Sequence, residues 1–258
     1  RPAHPYLRAL LHAVPHFDMK PGERLVPVRT IDYHAGALVQ KTEPWPADAP
    51  AIHLDIRGVT KTFEQRGGGL FGQRKGPTFR AVDDVSFSIP RGECFGLVGE
   101  SGCGKTTLSK VIMRALEPDS GEVLFNDRGT MVDVVRAGPE ALMRFRRRVQ
   151  YIFQDPFGSL SPRMTVFDIL REPLVIHQVG DADYRAEMAK ELMRLVGLDP
   201  RFLNRYPHSF SGGQRQRIGI ARALAVEPDL VLCDEPVSAL DVSIQAQILN
   251  LLKDLQAE

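Results

Sequence analysis

Apolar residues recur along this chain in two rhythms. In IHLDIRGV (Ile52 to Val59), VDDVSFSI (Val82 to Ile89) and CFGLVG (Cys94 to Gly99) they alternate or run together over short spans, the pattern of strands. In LSKVIMRAL (Leu108 to Leu116), Tyr184 to Val196 and Gln214 to Ala225 they return at the spacing of one helix face. The apolar runs VQYIF and LVLC (Leu230 to Cys233) add further strands, and strands alternating with helices predict an α/β domain with a mainly parallel sheet. Before Ile52 the pattern changes. Leu7, Leu10, Leu11 and Val14 lie at helical spacing and are stopped by Pro15, which predicts one short amphipathic helix. The stretch from Pro21 to Pro50 is rich in Pro and Ala without a sustained period, and reads as a linker with at most a short strand near Leu25 to Val28.

Composition narrows the class. The 258 residues are 43% hydrophobic, enough to give one large domain, or a domain with an appendage, a sizeable core. Lys and Arg number 33 against 32 Asp and Glu, so the overall balance gives no reason to expect nucleic acid or an acidic membrane surface as the main partner. The basic run RFRRRV (Arg144 to Val149) reads as a solvated face rather than a nucleic-acid patch, and His53, His177 and His208 have no ligand spacing. Cys94, Cys103 and Cys233 stand far apart with no CxxC pair, which fits a reducing cytoplasm better than a disulfide framework or a zinc site. No apolar stretch reaches the roughly 18 to 20 residues that span a bilayer, so a membrane role would come through a partner. The Gly-rich insertion EQRGGGLFGQRKGPT reads as a surface hairpin loop, because no helix follows to supply a dipole.

Three motifs carry chemistry. GESGCGKTT, Gly99 to Thr107, has the spacing GxxxxGK[ST] and stands between an apolar strand pattern and a helical one. Gly99, Gly102 and Gly104, with Glu100, Ser101 and Cys103 among them, let backbone N–H groups curl around phosphate oxygens. Lys105 adds a point charge near the β and γ phosphates, the helix that opens with Thr106 and Thr107 adds its dipole, and Thr106 is placed to ligate Mg²⁺. In DLVLCDEP the apolar strand ends in adjacent carboxylates, where an α/β sheet places ligand chemistry. Asp234 would hold Mg²⁺ through its water shell, and Glu235 would accept a proton from an attacking water. Alone such a pair is usually a solvated turn; after a phosphate loop in the same chain it reads as catalytic.

The third motif, FSGGQRQRIGIARAL (Phe210 to Leu224), precedes that strand, and SALD (Ser238 to Asp241) follows it. Ser211, Gly212 and Gly213 cap a helix N-terminus, an anion site on physical grounds. With these motifs the chain resembles the ATP-binding cassette (ABC) ATPases over essentially all of residues 51 to 258. The resemblance implies a P-loop NTPase with a RecA-like parallel sheet core, an N-terminal antiparallel β subdomain and a helical signature subdomain over about 155–225. It implies ATP and Mg²⁺ as cofactors, with Lys105, Gln154 and Glu235 as the catalytic group. It would place Thr106, Gln154 and Asp234 on the metal. The signature Ser211 to Gln214 would grip the γ-phosphate of ATP bound to the opposite cassette, and Asp241 would cross that interface. The resemblance implies that Gln154, from QDPFGSL, would also report to a transmembrane partner. Phe63, in VTKTF, aligns with the aromatic that stacks on adenine, with Phe79 the alternative; such stacking is worth about 1 to 3 kcal/mol per base in nucleic-acid cases.

The wider wording, including FQDPFGSLSPRMTV, RYPHSFSGGQRQRIGIARAL and DEPVSALDVSIQAQILNLL, is similar to the ATPases of oligopeptide, dipeptide and glutathione importers. Related transporters carry nickel, opines or sugars. That subfamily implies a second nucleotide-binding domain, permease subunits, no nucleic acid, and a peripheral place on the cytoplasmic face of the inner membrane. A switch histidine expected beyond the carboxylate pair has no counterpart after Asp241, so residues 51–258 are expected to be a cassette lacking its last strands, with weak nucleotide binding and little turnover alone. HPYLRALLHAVP resembles wording that follows a cassette in peptide-importer ATPases, yet it precedes one here. Residues 1–20 are therefore expected to be the tail of a preceding cassette and 21–50 the linker of a tandem protein. The competing expectation is a soluble ABC ATPase of translation or DNA repair.

Overall fold

The structure is a computed structural model, and it describes residues 14, 19, 23–26, 45–66, 75–155, 157–238 and 240–257. The opening helix expected over Leu7 to Val14, apart from Val14 itself, and residues 67–74 of the Gly-rich insertion lie outside the described residues. The chain divides into two compact units, Glu43–Val149, and Arg1–Thr42 with Gln150–Glu258.

In the unit of Glu43–Val149, β1 (Ile52–Arg66) and β2 (Lys75–Pro90) form a long antiparallel hairpin, with Phe63 directly opposite Phe79. β3 (Ser120–Asp127) pairs with the other edge of β1, and β4 (Thr130–Asp133) with β3, giving the antiparallel order β2-β1-β3-β4. This larger sheet is antiparallel, unlike the mainly parallel sheet that strand and helix alternation alone predicts, and it falls where the family resemblance implies an antiparallel subdomain. Leu54 and Ile56 turn inward on β1. Asp55, on the opposite face, is also buried, and its carboxylate accepts from Ser88 Oγ at 2.6 Å and Arg57 Nε at 2.7 Å, which offsets the cost of burying a charge. Helix α1 (Lys105–Ile112) buries Leu108, Val111 and Ile112, and α2 (Pro139–Arg148) sets Phe145 edge-on to Phe125 of β3. Arg144 of the basic run faces Asp127 on the surface, as a solvated helix face does. The linker's end is anchored: Trp45 lies between the Arg91 and Arg128 guanidinium groups at 4.8 and 4.9 Å. Buried Asn126 donates to the carbonyls of Pro50 and Ile52, both at 3.0 Å, and fixes where β1 begins.

The expected strand CFGLVG is not formed. Glu93–Glu100 has no regular secondary structure, and Val98 is 93% exposed. An apolar run becomes a strand only when a neighbour takes its N–H and C=O groups, and no described strand pairs with this one.

In the other unit β5 (Val149–Ile152) and β6 (Leu230–Cys233) form a two-stranded sheet, and its described residues include the helices α3 (Val166–Ile176), α4 (Ala182–Leu195), α5 (Gly212–Leu224) and α6 (Val242–Ala257). Thr165, Asp181 and Ser211 cap the first three of these through side-chain oxygens, the local reason each starts where it does. Ile169, Leu170, Leu192, Met193, Ile218, Ile220 and Ile248 belong to one continuous core. Arg217 of α5 is buried and donates to the carbonyls of Val196 and Gly197 just past α4; desolvation pushes its pKa below the ordinary guanidinium value. Among the described residues no helix is long and apolar enough to cross a membrane.

Helix α6 is apolar on two sides. Ile244, Ile248, Leu251 and Leu252 join the main core, while Val242, Ala246 and Leu249 form a second stripe under Leu25 and Met19. The extended segment 23–26 is held there by its backbone. Leu25 N–H donates to Asn250 Oδ1 (3.2 Å), Asn250 Nδ2 donates back to Leu25 O (2.8 Å), Lys253 Nζ donates to Glu23 O (2.6 Å), and Arg24 pairs with Asp254. Part of the expected linker is thus a strap on α6. Asn250→Ala removes both Leu25 bonds without touching the main core. Hydrogen exchange should then show at least about tenfold faster exchange at the Leu25 amide, with protection at Ile248 unchanged, because strap release is a local opening. Equal Leu25 exchange in the two proteins would remove the strap from this account.

Candidate functional site

The phosphate loop closes on itself before α1. Cys103 N–H donates to Glu100 O in a turn, and Lys105 Nζ donates to the carbonyls of Gly99 (2.8 Å) and Glu100 (2.9 Å), so the ammonium is gathered into the loop. Gly104, the residue before α1, has φ +102°, and a Cβ there would lie 2.0 Å from Ala81 O. Only glycine satisfies both the left-handed backbone and that close approach to β2. No side chain caps α1, so its first N–H groups and the end of its dipole are presented to whatever enters the loop. Gly99, Glu100, Ser101, Gly102 and Cys103 are exposed around that end, with Thr106 exposed and Thr107 half-buried in its first turn. Phe63 and Phe79, 40% and 54% exposed, offer a pair of aromatic faces elsewhere on the same unit. Lys61 Nζ and Thr62 N–H both donate to Asp119, which fixes β1 just before Phe63. The Lys61 hydrogen bond is the main reason the Asp119 carboxyl lies below its ordinary pKa.

The carboxylate pair lies in the other unit, immediately past β6. Asp234 N–H donates to Ile152 O at 3.0 Å, which sets the end of β6 against the end of β5. Glu235, exposed and at φ +45°, turns the chain, and Ser238 closes the turn with N–H and Oγ bonds to Glu235 O. Gln154 Nε2 donates to Glu235 Oε2 at 2.7 Å, bringing together two residues 81 positions apart. Tyr151 OH donates to Asp234 Oδ2 at 2.8 Å. The unit therefore gathers Tyr151, Gln154, Asp234 and Glu235 at one end of the β5–β6 pair.

Ser211 caps α5 in a reciprocal box: Gln214 N–H donates to Ser211 Oγ (3.3 Å), and Ser211 N–H donates to Gln214 Oε1 (2.9 Å). The Gly212 and Gly213 N–H groups remain at the positive end of the helix. A Cβ on Gly213 would meet Ile244 Cγ2 at 2.8 Å, so the signature packs directly on α6. Asp241, just before α6, accepts at its carbonyl from Ile244 N–H (2.8 Å) and Gln245 N–H (2.9 Å). Two residues of QRQR tie α5 to the Gln154 loop: Arg215 stacks on Phe157 at 4.1 Å, and Gln216 Nε2 donates to Phe153 O at 3.5 Å. Sequence reasoning passes over Tyr151, Arg215, Gln216 and Ile244, because none belongs to a recognised spacing. The only available signal was that a polar QRQR run sits on a helix otherwise facing a core.

The profile of the ABC transporter family matches residues 82–238, a span that holds the phosphate loop, Gln154, the signature and both carboxylates. The chain belongs to the ABC transporter family. It is 52% identical over 203 residues to a putative peptide import ATP-binding protein of Brucella ovis, covering 79% of this chain and 60% of that protein. It is 50% identical to the oligopeptide transport ATP-binding protein AppF of Bacillus subtilis (80% of this chain, 61% of that protein) and 56% identical to OppF of the same organism (70% and 59%). The chain thus spans about 60% of the length of these curated relatives. In fold it is similar to a dimeric ATP-binding cassette in a post-hydrolysis state bound to ADP and Pi, with a TM-score of 0.67, 31% identity, and coverage of 79% of this chain and 82% of that one. A dimeric bacterial ABC transporter cassette matches equally well, with a TM-score of 0.66 and 31% identity. These likenesses place the P-loop NTPase fold of the ABC cassettes on this chain.

Proposed function

We propose that this cassette binds and hydrolyses ATP to power a membrane importer of peptides or related small solutes. The observation that carries the reading is the Gln154–Glu235 hydrogen bond beside Asp234, a carboxylate held at the end of β6 in a chain that also has a GxxxxGK[ST] loop opening a helix. The names of the relatives from Brucella ovis and Bacillus subtilis support the cargo class.

On this reading Gly99 to Thr107 wrap the phosphates, Lys105 leaves its loop carbonyls for the β and γ oxygens, and Phe63 supplies the adenine face. Thr106, Gln154 and Asp234 offer hydroxyl, amide and carboxylate oxygens, a hard donor set with a single carboxylate, which fits Mg²⁺ shared with phosphates. Bound there, Mg²⁺ supplies charge neutralisation on the phosphates. Glu235 takes the proton of a water that attacks the γ-phosphorus in line; the new P–O bond forms as the bond to the β–γ bridging oxygen breaks, leaving ADP and phosphate. Gln154 holds the Glu235 carboxylate by its amide N–H and so fixes the base.

The second nucleotide-binding domain closes head to tail, so that Ser211, Gly212, Gly213 and Gln214 meet the γ-phosphate on the opposite phosphate loop and Asp241 lies at the interface. The dimeric neighbours support that partner. HPYLRALLHAVP, standing before the cassette, supports a partner in the same polypeptide. Permease subunits would hold the assembly at the cytoplasmic face of the inner membrane. The test is uptake of a labelled dipeptide by cells whose native gene carries Lys105→Ala. Loss of uptake is the expected result. Unchanged peptide uptake, with the protein sedimenting on ribosomes rather than with membranes, would contradict it.

A further inference from the structure

We propose that Tyr151 is a positioning residue for Asp234: its phenol sets the rotation of the carboxylate that stands on the nucleotide's cation. The inference rests on the hydrolytic reading above and extends it to a residue outside the motifs. Tyr151 lies on β5 and Asp234 just past β6, 83 positions later in the chain, and two bonds join these strand ends. The backbone bond from Asp234 N–H to Ile152 O (3.0 Å) fixes where the aspartate's Cα sits. By itself it does not set the carboxylate's rotation, because χ2 of aspartate is a broad, two-fold rotor. The bond from Tyr151 OH to Oδ2 (2.8 Å) selects one orientation. Tyr151 can do this because its own ring is half-buried and braced against Phe153, with centroids 4.7 Å apart and planes inclined at 59°.

A phenol suits the task. It donates through its O–H, and a bond to an anion is shorter and stronger than one between neutral groups. A carboxylate offers about four acceptor positions, so one phenol bond orients it while preserving its capacity to face a cation. Outer-shell partners of metal-binding carboxylates act in this way, and removing one commonly costs tenfold or more in metal affinity.

Tyr151→Phe keeps the ring, its packing on Phe153 and the backbone bond, and deletes only the donor. The experiment titrates Mn²⁺ by electron paramagnetic resonance into the intact native polypeptide loaded with adenylyl imidodiphosphate, for wild type, Tyr151→Phe and Asp234→Asn. Parallel measurements follow binding of the same analogue in EDTA and the melting temperature. The expected result is Mn²⁺ bound about tenfold more weakly by Tyr151→Phe, with metal-free nucleotide affinity within twofold and melting temperature within about 2 °C of wild type. A structural role alone would lower the melting temperature without moving the Mn²⁺ affinity. If Asp234→Asn loses Mn²⁺ and Tyr151→Phe binds it like wild type, the positioning role is overturned and the hydrolytic reading stands. If wild type and Asp234→Asn bind Mn²⁺ alike, both are overturned.

Discussion

Glu235→Gln is expected to bind ATP as tightly as the wild-type protein and to hydrolyse it about 10² to 10⁴ times more slowly, the usual worth of a general base. The amide has the shape of the carboxylate, and its oxygen still accepts from Gln154 Nε2, which holds the side chain in place at 2.7 Å. The exposed turn at φ +45° accommodates glutamine as well as it does glutamate. What is lost is the ability to take a proton from water. ATP therefore stays on the protein, and the closed pair of cassettes should accumulate. Single-turnover phosphate release and gel filtration in the presence of ATP measure the two consequences. A phosphate-release rate within tenfold of wild type would exclude Glu235 as the base.

Lys105→Ala is expected to fail one step earlier. The Lys105 ammonium is gathered onto two loop carbonyls, at 2.8 and 2.9 Å, and no other Lys or Arg lies among Gly99 to Thr107 to replace it. Charge-assisted hydrogen bonds contribute about 1.5 to 3 kcal/mol, so ATP should bind roughly ten- to a hundredfold more weakly. The loop itself should persist, because its close approach to Ala81 depends on Gly104 rather than on the lysine. Fluorescent-nucleotide titration alongside thermal melting checks both statements. Unchanged affinity would contradict the phosphate-loop assignment, whereas a collapsed melting curve would show that Lys105 is structural.

The two outcomes concern motifs that were legible from residues alone, for a physical reason. A phosphate loop and a capped helix N-terminus are written in short runs of residues: the Lys105 bonds to Gly99 and Glu100 and the Ser211–Gln214 box each join residues within a few positions of each other. The strands of IHLDIRGV and VDDVSFSI were likewise legible, because one face of each is buried against a core while the other stays polar. CFGLVG misled for the opposite reason, since its apolar letters describe a strand but not the partner a strand requires. Helix α2, PEALMRFRRR, is too polar for a helical period to stand out, and Phe145 is its one buried side chain. The contacts that gather the carboxylate pair join Gln154 to Glu235 across 81 positions and Tyr151 to Asp234 across 83, and no spacing rule reaches so far. The strap is the extreme case. Leu25 and Asn250 lie 225 positions apart, and the composition around Leu25 offered a linker with at most a short strand near Leu25 to Val28.

The proposed function is hydrolysis of ATP for a membrane importer, with Lys105 on the phosphates and Glu235 as the base. Its most direct test is phosphate release by the intact native polypeptide, purified with the permease subunits proposed above in lipid nanodiscs, with and without Mg²⁺ and for wild type beside Glu235→Gln. The account predicts release that requires Mg²⁺ and falls at least about a hundredfold in Glu235→Gln. Release that persists without Mg²⁺, or that is equal in the two proteins, would contradict it.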